Sequence, residues 1–229
     1  MEFGMGLHGE AGIKKVDIMT ADETTKTILD LIFPPRCEVC RGLGPETFCE
    51  NCRKKISFLR PSAFTHSVGI YEGALKSAIW RFKFKKRTAL ADPLGVLMVK
   101  YLNHHLEMNE IDLVVPVPLH ERRLRERGFN QSELLSHVIS KYYDIPTVSG
   151  VLFRTKETHP QFDLPREQRL RNVRGAFELK GASLLKDRDI LLVDDIYTTG
   201  STVSECTYVL KSGGARKVHV LTLSRAVML

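Results

Sequence analysis

The 229-residue chain has no glycine-rich loop ending in Gly-Lys-Ser or Gly-Lys-Thr, no apolar run long enough to cross a bilayer as a helix, and a single tryptophan. The first absence removes the P-loop nucleotidases, whose acidic strand would otherwise compete as an explanation of an acid pair that ends an apolar run. The second leaves no membrane-spanning helix to expect. Residues 1–20 also lack the apolar stretch of a secretory signal, so a cytoplasmic location is expected. Cysteine is scarce, with five residues in all. Charge is unbalanced at +7, which suits a polyanionic partner without saying which one. A hydrophobic content of 43% is enough for one main domain and a small module.

The most informative stretch is Ile190-Leu-Leu-Val-Asp-Asp-Ile-Tyr-Thr-Thr-Gly-Ser-Thr202. Four apolar residues predict a short buried strand, the acids Asp194 and Asp195 follow where burial is expected to end, and a helical pattern opens at Thr202. A turn that feeds a helix start presents unpaired amides and the positive end of a helix dipole, which suits a phosphate. Thr198, Thr199, Ser201 and Thr202 add hydroxyl donors, and Gly200 lets the backbone come close. Asp194 and Asp195 would repel a phosphate but can accept hydrogen bonds from a ribose diol or help hold a metal. Together the two halves point to a sugar phosphate. The competing reading is an ordinary strand–loop–helix in which Thr202 and Glu205 form a capping box.

Four cysteines fall as Cys37-x-x-Cys40, eight residues, then Cys49-x-x-Cys52. In a cytosolic chain this spacing favours a metal over disulfides. Four thiolates complete a tetrahedral Zn²⁺ site with no position left for water, so the zinc is expected to be structural. Cys206 stands alone inside a helical pattern and reads as a small buried residue.

Helices are predicted over 27–33, 71–87, 90–106, 129–143 and 203–212, and strands over 111–117, 148–153, 189–193 and 217–223. The alternation argues for a parallel α/β sheet with right-handed crossovers. In the helix over 71–87, Tyr71, Leu75, Ala78, Ile79 and Phe82 share one face, and Lys76, Trp80, Lys83 and Arg87 are assigned to the other. Those four are the candidate nucleic-acid surface, with Trp80 as a stacking platform for bases; solvated lysines and a packed Trp80 are the alternative.

The acidic–hydroxyl run resembles the phosphoribosyl-pyrophosphate (PRPP) motif of type I phosphoribosyltransferases. The paired cysteines, Val115-Pro-Val-Pro-Leu-His120, Arg127-Gly-Phe-Asn-Gln131 and the stretch from Gln161 to Phe177 occur in the order seen in the ComF family. These are competence-associated proteins in which a zinc ribbon is joined to a phosphoribosyltransferase-like domain. The resemblance runs from about Leu29 to Arg225. It implies a ribbon over 29–60 and a transferase-like domain over 61–229; residues 1–28, glycine-bearing and with little periodicity near the start, are expected to be a disordered extension, with Met5 or Met19 as alternative starts.

The resemblance also implies roles. PRPP would lie across the strand ends, its 5′-phosphate on Thr198–Thr202 and its diol on Asp194 and Asp195. The loop carrying His120, Arg122, Arg123 and Arg127 would hold pyrophosphate, with Mg²⁺ bridging oxygens. The segment with Gln161, Arg169 and Asn172 would be a flap over the ligand. Purine-salvage members carry an aspartate three residues after the second acid; here that position is Thr198, which argues against a purine acceptor. DNA uptake in natural transformation is the implied setting, with single-stranded DNA and other competence proteins as partners; the alternative to a transferase is a non-catalytic single-stranded DNA-binding or PRPP-sensing scaffold.

Overall fold

The computed structural model describes residue 30 and residues 34–157 and 173–226. The chain divides into two compact units, Met1–Pro35 and Arg36–Leu229. The predicted extension, the helix over 27–33 and the flap residues Gln161, Arg169 and Asn172 lie outside the described residues.

The helices and strands of the second unit are α1 (Glu50–Arg53), β1 (Thr65–Ile70), α2 (Gly73–Phe84), α3 (Ala91–His105), β2 (Leu113–Pro116), α4 (Glu121–Arg127), α5 (Gln131–Tyr143), β3 (Leu152–Arg154), β4 (Phe177–Leu179), β5 (Asp189–Tyr197), α6 (Ser201–Ser212) and β6 (Lys217–Arg225). Four strands form a parallel sheet in the order β1-β6-β5-β2. β1 is an addition to the strands expected. The 148–153 region also departs from expectation: β3 pairs antiparallel with β4 in a separate two-stranded sheet.

Alternation along the central strands divides the core in two. Leu191, Val193, Leu221 and Leu223 face one layer, built with Leu75, Ile79 and Phe82 of α2, Leu94 and Met98 of α3, and Leu135 and Ile139 of α5. Ile190, Leu192, Val218 and Val220 face the other, built with Val203, Cys206 and Leu210 of α6 and Phe177 of β4. Burial on both faces explains the continuous apolar runs, which give a strand no polar side to expose. Cys37, Phe48, Cys52 and Ile56 belong to the first layer, so the cysteine module packs into the same core as α2.

Two boundaries matter for the site. β5 does not stop at Val193; it continues through both acids to Tyr197, with Asp194 opposite Thr222 on β6. Its burial pattern runs unbroken through Asp195, so the acids sit inside the sheet end rather than beyond it. The anticipated basic loop is also partly ordered: Glu121–Arg127 is the short helix α4, ended by Gly128 at φ 88°.

Candidate phosphoribose site and cysteine cluster

Helix α6 starts at Ser201, one residue earlier than the pattern suggests, with Gly200 in the capping position at φ 80°. A Cβ at Gly200 would run into the Tyr197 ring, so both its backbone angle and its surroundings demand glycine. Gly200 takes the N-cap position of α6 and has no side chain with which to cap it. The Gly175 amide donates to Glu205 Oε1 at 2.6 Å. The Ser201 amide points to Thr199 Oγ1 (3.4 Å), and the Thr199 and Ser201 hydroxyls lie 2.9 Å apart. The turn is thus a short arc of hydroxyls and amides at the start of a three-turn helix, the arrangement that favours an anion.

A cavity of about 420 Å³ opens where the chain leaves β2 and β5, lined by Pro118, Leu119, Asp194, Asp195, Thr198 and Thr202 among others. Asp194 and Asp195 are only 8% and 4% exposed. Asp194 Oδ1 accepts hydrogen bonds from Ser132 Oγ (3.1 Å) and from the Asp195 amide (2.8 Å). Ser132 is held in turn by the start of α5. Asn130 caps that helix by accepting from the Ser132 amide (3.1 Å), while its Nδ2 donates to the Val117 carbonyl (3.1 Å). Burial first, and the neighbouring Asp195 charge second, push the Asp194 carboxyl up to about 7.

Three arginines bring positive charge to the same cavity: Arg123, Arg127 and Arg154. Arg127 donates to Gln131 Oε1 and its guanidinium stacks 5.7 Å from the centre of the Phe84 ring. Arg154, the last residue of β3, lies 5.5 Å from the centre of the Phe177 ring. Burial lowers the proton affinity of both guanidiniums from its ordinary value, with the nearby acids pulling in the opposite direction. Two of the four residues expected to form the pyrophosphate loop are elsewhere. His120 Nδ1 accepts from the Arg122 amide (3.3 Å) and caps α4. Arg122 is turned outward to Glu126 (3.0 Å) and Glu157 (2.5 Å).

The candidate nucleic-acid stripe also divides. Trp80 is 44% exposed, as is the neighbouring Phe84 at 54%, and Lys85 sits 5.2 Å from the centre of the Trp80 ring. Lys76 lies 5.8 Å from the Tyr71 ring centre, and Arg87 reaches Glu38 at 3.5 Å. Lys83 leaves the stripe altogether: its ammonium lies 2.8 Å from Asp195 Oδ2, with the side chain only 13% exposed. Spacing alone leaves Lys83 at the edge of the buried face, four residues after Ile79 but three after the exposed Trp80, so its turn toward the acids is decided by packing. Arg154, Ser132 and Phe84 were not singled out as site residues; their roles depend on contacts between elements far apart in the chain.

The four thiols of Cys37, Cys40, Cys49 and Cys52 all lie within 4.8 Å of one another. Cys37 and Cys52 sulfurs are 3.9 Å apart, and those of Cys40 and Cys49 3.6 Å. A tetrahedron with Zn–S bonds of about 2.3 Å has edges of about 3.8 Å, so the donor set fits the ion. Amides of Val39 and Cys49 point at Cys37 Sγ (3.4 and 3.5 Å) and that of Gly42 at Cys40 Sγ (3.4 Å), contacts that stabilise thiolates. Burial opposes ionisation of Cys37, but these amide contacts bring its thiol down to about 6, whereas burial and the surrounding thiols raise Cys52.

A parallel sheet with an acid pair and a hydroxyl turn at the end of its central strand, beside four clustered thiols, defines a phosphoribosyltransferase-type domain carrying a zinc ribbon. Residues 129–226 match the phosphoribosyl transferase domain, and residues 28–64 match the double zinc ribbon domain. The chain is 34% identical over 227 residues to competence protein F of Haemophilus influenzae, covering 85% of this chain and 98% of that protein. It is 35% identical over 164 residues to DNA utilization protein YhgH of Escherichia coli, 70% of this chain and 71% of that one. It therefore belongs to the competence protein F family, the ComF family. Among solved structures it is similar to adenine phosphoribosyl transferase from Trypanosoma brucei in complex with AMP, pyrophosphate and ribose-5-phosphate, at 13% identity and a TM-score of 0.41 over 76% of this chain and 65% of that one. Among the described residues no helix is long and apolar enough to cross a membrane.

Proposed function

We propose that this protein binds PRPP and transfers its phosphoribosyl group, in the cytoplasm, as part of DNA uptake in natural transformation. The observation that carries the reading is the convergence of three chemistries on one cavity: the acid pair, the hydroxyl turn and the arginines. The 5′-phosphate would rest on Thr198–Thr202, where amides and hydroxyls gather at a helix start. The ribose diol would donate to Asp194 and Asp195. The pyrophosphate would meet Arg123, Arg127 and Arg154, whose planar forks bind paired oxygens.

In the transfer, the bond between C1 of the ribose and pyrophosphate breaks, and the electron pair leaves with pyrophosphate. The acceptor supplies the electron pair of the new bond to C1 and loses its proton to solvent or base. The side chains act by stabilising charge: the half-buried guanidiniums would neutralise the departing pyrophosphate while the acids face the cationic ribose. Asp194 and Asp195 are the carboxylates that fit Mg²⁺, a hard ion that takes few carboxylates and keeps its waters. When bound with PRPP, it would neutralise further charge on the leaving group. Calorimetric titration of PRPP with and without Mg²⁺, followed by pyrophosphate release in the presence of candidate acceptors, tests the reading. No PRPP binding under either condition overturns it.

A second activity, binding of single-stranded DNA, is favoured by the exposed Trp80 and Phe84 on one helix with Lys85 against Trp80. Bases stack on such rings without sequence preference, and lysines meet the phosphates. The names of the relatives, competence protein and DNA utilization protein, support a common setting for both activities, with other competence proteins as the expected partners.

A further inference from the structure

Helix α2 lies outside residues 129–226, the span that matches the phosphoribosyl transferase domain. Yet it delivers a cation into the centre of the acid pair. Lys83 is enclosed, 13% exposed, and its Nζ lies 2.8 Å from Asp195 Oδ2. A lysine is expensive to enclose unless it is paired, and one at a surface could be exchanged for any polar residue. The preceding turns of α2 show how the enclosure is built: Leu75, Ala78, Ile79 and Phe82 are fully buried, and they anchor the helix so that its last turn overhangs the cavity. Phe84 and Lys86 from the same end line the cavity as well.

Five cations line this cavity, Lys83, Lys86, Arg123, Arg127 and Arg154, against the acids Glu126, Asp194 and Asp195. A ribose diol must reach the Asp195 oxygens, one of which Lys83 now holds. A lysine stem of four methylenes and a point charge with three donors can pivot and keep one contact while making another, which a planar guanidinium does less readily. The destination with the strongest pull is the pyrophosphate group, the most highly charged part of the ligand.

Building on the phosphoribosyl reading, we infer that Lys83 is a ligand-binding residue of the site, bridging Asp195 and the pyrophosphate of PRPP. Its place on α2 makes the N-terminal part of the chain a contributor to pyrophosphate binding. The ribose and 5′-phosphate contacts stay with β5 and α6.

The test is isothermal titration of the full chain and its Lys83→Met and Lys83→Arg variants with three probes: PRPP, inorganic pyrophosphate and ribose 5-phosphate. Lys83→Met is expected to weaken PRPP and pyrophosphate about 10- to 100-fold, the range for losing a charge-assisted hydrogen bond. Ribose 5-phosphate should stay within about threefold, and Lys83→Arg, which restores the charge but pivots less readily, should recover part of the PRPP affinity. Equal PRPP affinity in wild type and Lys83→Met overturns the inference alone. A parallel loss for all three probes overturns it too, since that marks a general collapse of the site. If the wild type binds none of the probes, the phosphoribosyl reading fails and takes this inference with it.

Discussion

Asp194→Asn is expected to stabilise the protein at the same time as it damages the site, and to do so only above a particular pH. The Asp194 carboxyl rises from its usual 3.8 to about 7, chiefly because it is buried, and secondarily because Asp195 lies beside it. A group whose proton affinity is higher folded than unfolded favours the fold while protonated in both states. That support is fully present below about pH 4 and is lost progressively as pH rises to about 7, where the folded form finally ionises. At about 1.4 kcal/mol per tenfold change in affinity, the loss by pH 8 is roughly 4 kcal/mol. An asparagine carries no charge to bury, and its Oδ1 can keep the bonds from Ser132 Oγ and the Asp195 amide. Its Nδ2 must replace the other oxygen, which takes back part of the gain, so a net stabilisation of about 2–3 kcal/mol at pH 8 is expected. For a domain of this size that is a rise in Tm of roughly 5–10 °C. Near pH 4.5 the two proteins should differ by much less. Thermal unfolding of both across pH 4.5–8, with PRPP titration at pH 8, measures each side. A variant that is less stable at pH 8, or whose effect is the same at every pH, refutes the reasoning.

The remaining expectations concern the turn, the metal and the exposed aromatics. Gly200→Val should cost about 1–3 kcal/mol of stability as well as PRPP affinity, because φ 80° and the Tyr197 ring both exclude a branched side chain; wild-type thermal stability in this variant would contradict the geometry. Elemental analysis should find one Zn²⁺ per chain, and Cys49→Ser or strong chelation should loosen α2 along with the cysteine module, seen as faster amide exchange in residues 73–84, because Cys37 and Cys52 share its core. Trp80, the only tryptophan, should lose fluorescence when single-stranded oligonucleotide is added at low salt and regain it as salt rises. Trp80→Ala should weaken that binding about tenfold or more, and a signal silent to DNA with unchanged binding rules out the platform.

Much of this protein was decided by local order along the chain. The strand Ile190–Val193, the acids and the hydroxyl turn lie within thirteen consecutive residues, so their spacing alone places carboxylates beside a helix start. The two Cys-x-x-Cys pairs are equally local: each turn aims its own thiols, and only the meeting of the two turns, 3.6–3.9 Å between paired sulfurs, needed the fold. Where a side chain points across elements, the sequence was silent or misleading. Arg122 and Arg123 are adjacent in the chain, yet one pairs with Glu126 and Glu157 on the surface and the other lines the cavity, because a helical turn rotates neighbours by about 100°. Arg154 comes to the cavity by the pairing of β3 with β4, an antiparallel addition that a sequence of alternating strands and helices did not announce. The continuation of β5 through Asp194 and Asp195 depends on β6 pairing as far as Tyr197, which supplies the backbone partners that let two carboxylates stay inside a sheet. And Lys83 reads as one of many surface lysines until α2 joins the core layer that Leu191, Val193, Leu221 and Leu223 face; only then does its last turn reach the acids and make that lysine the counter-ion of Asp195.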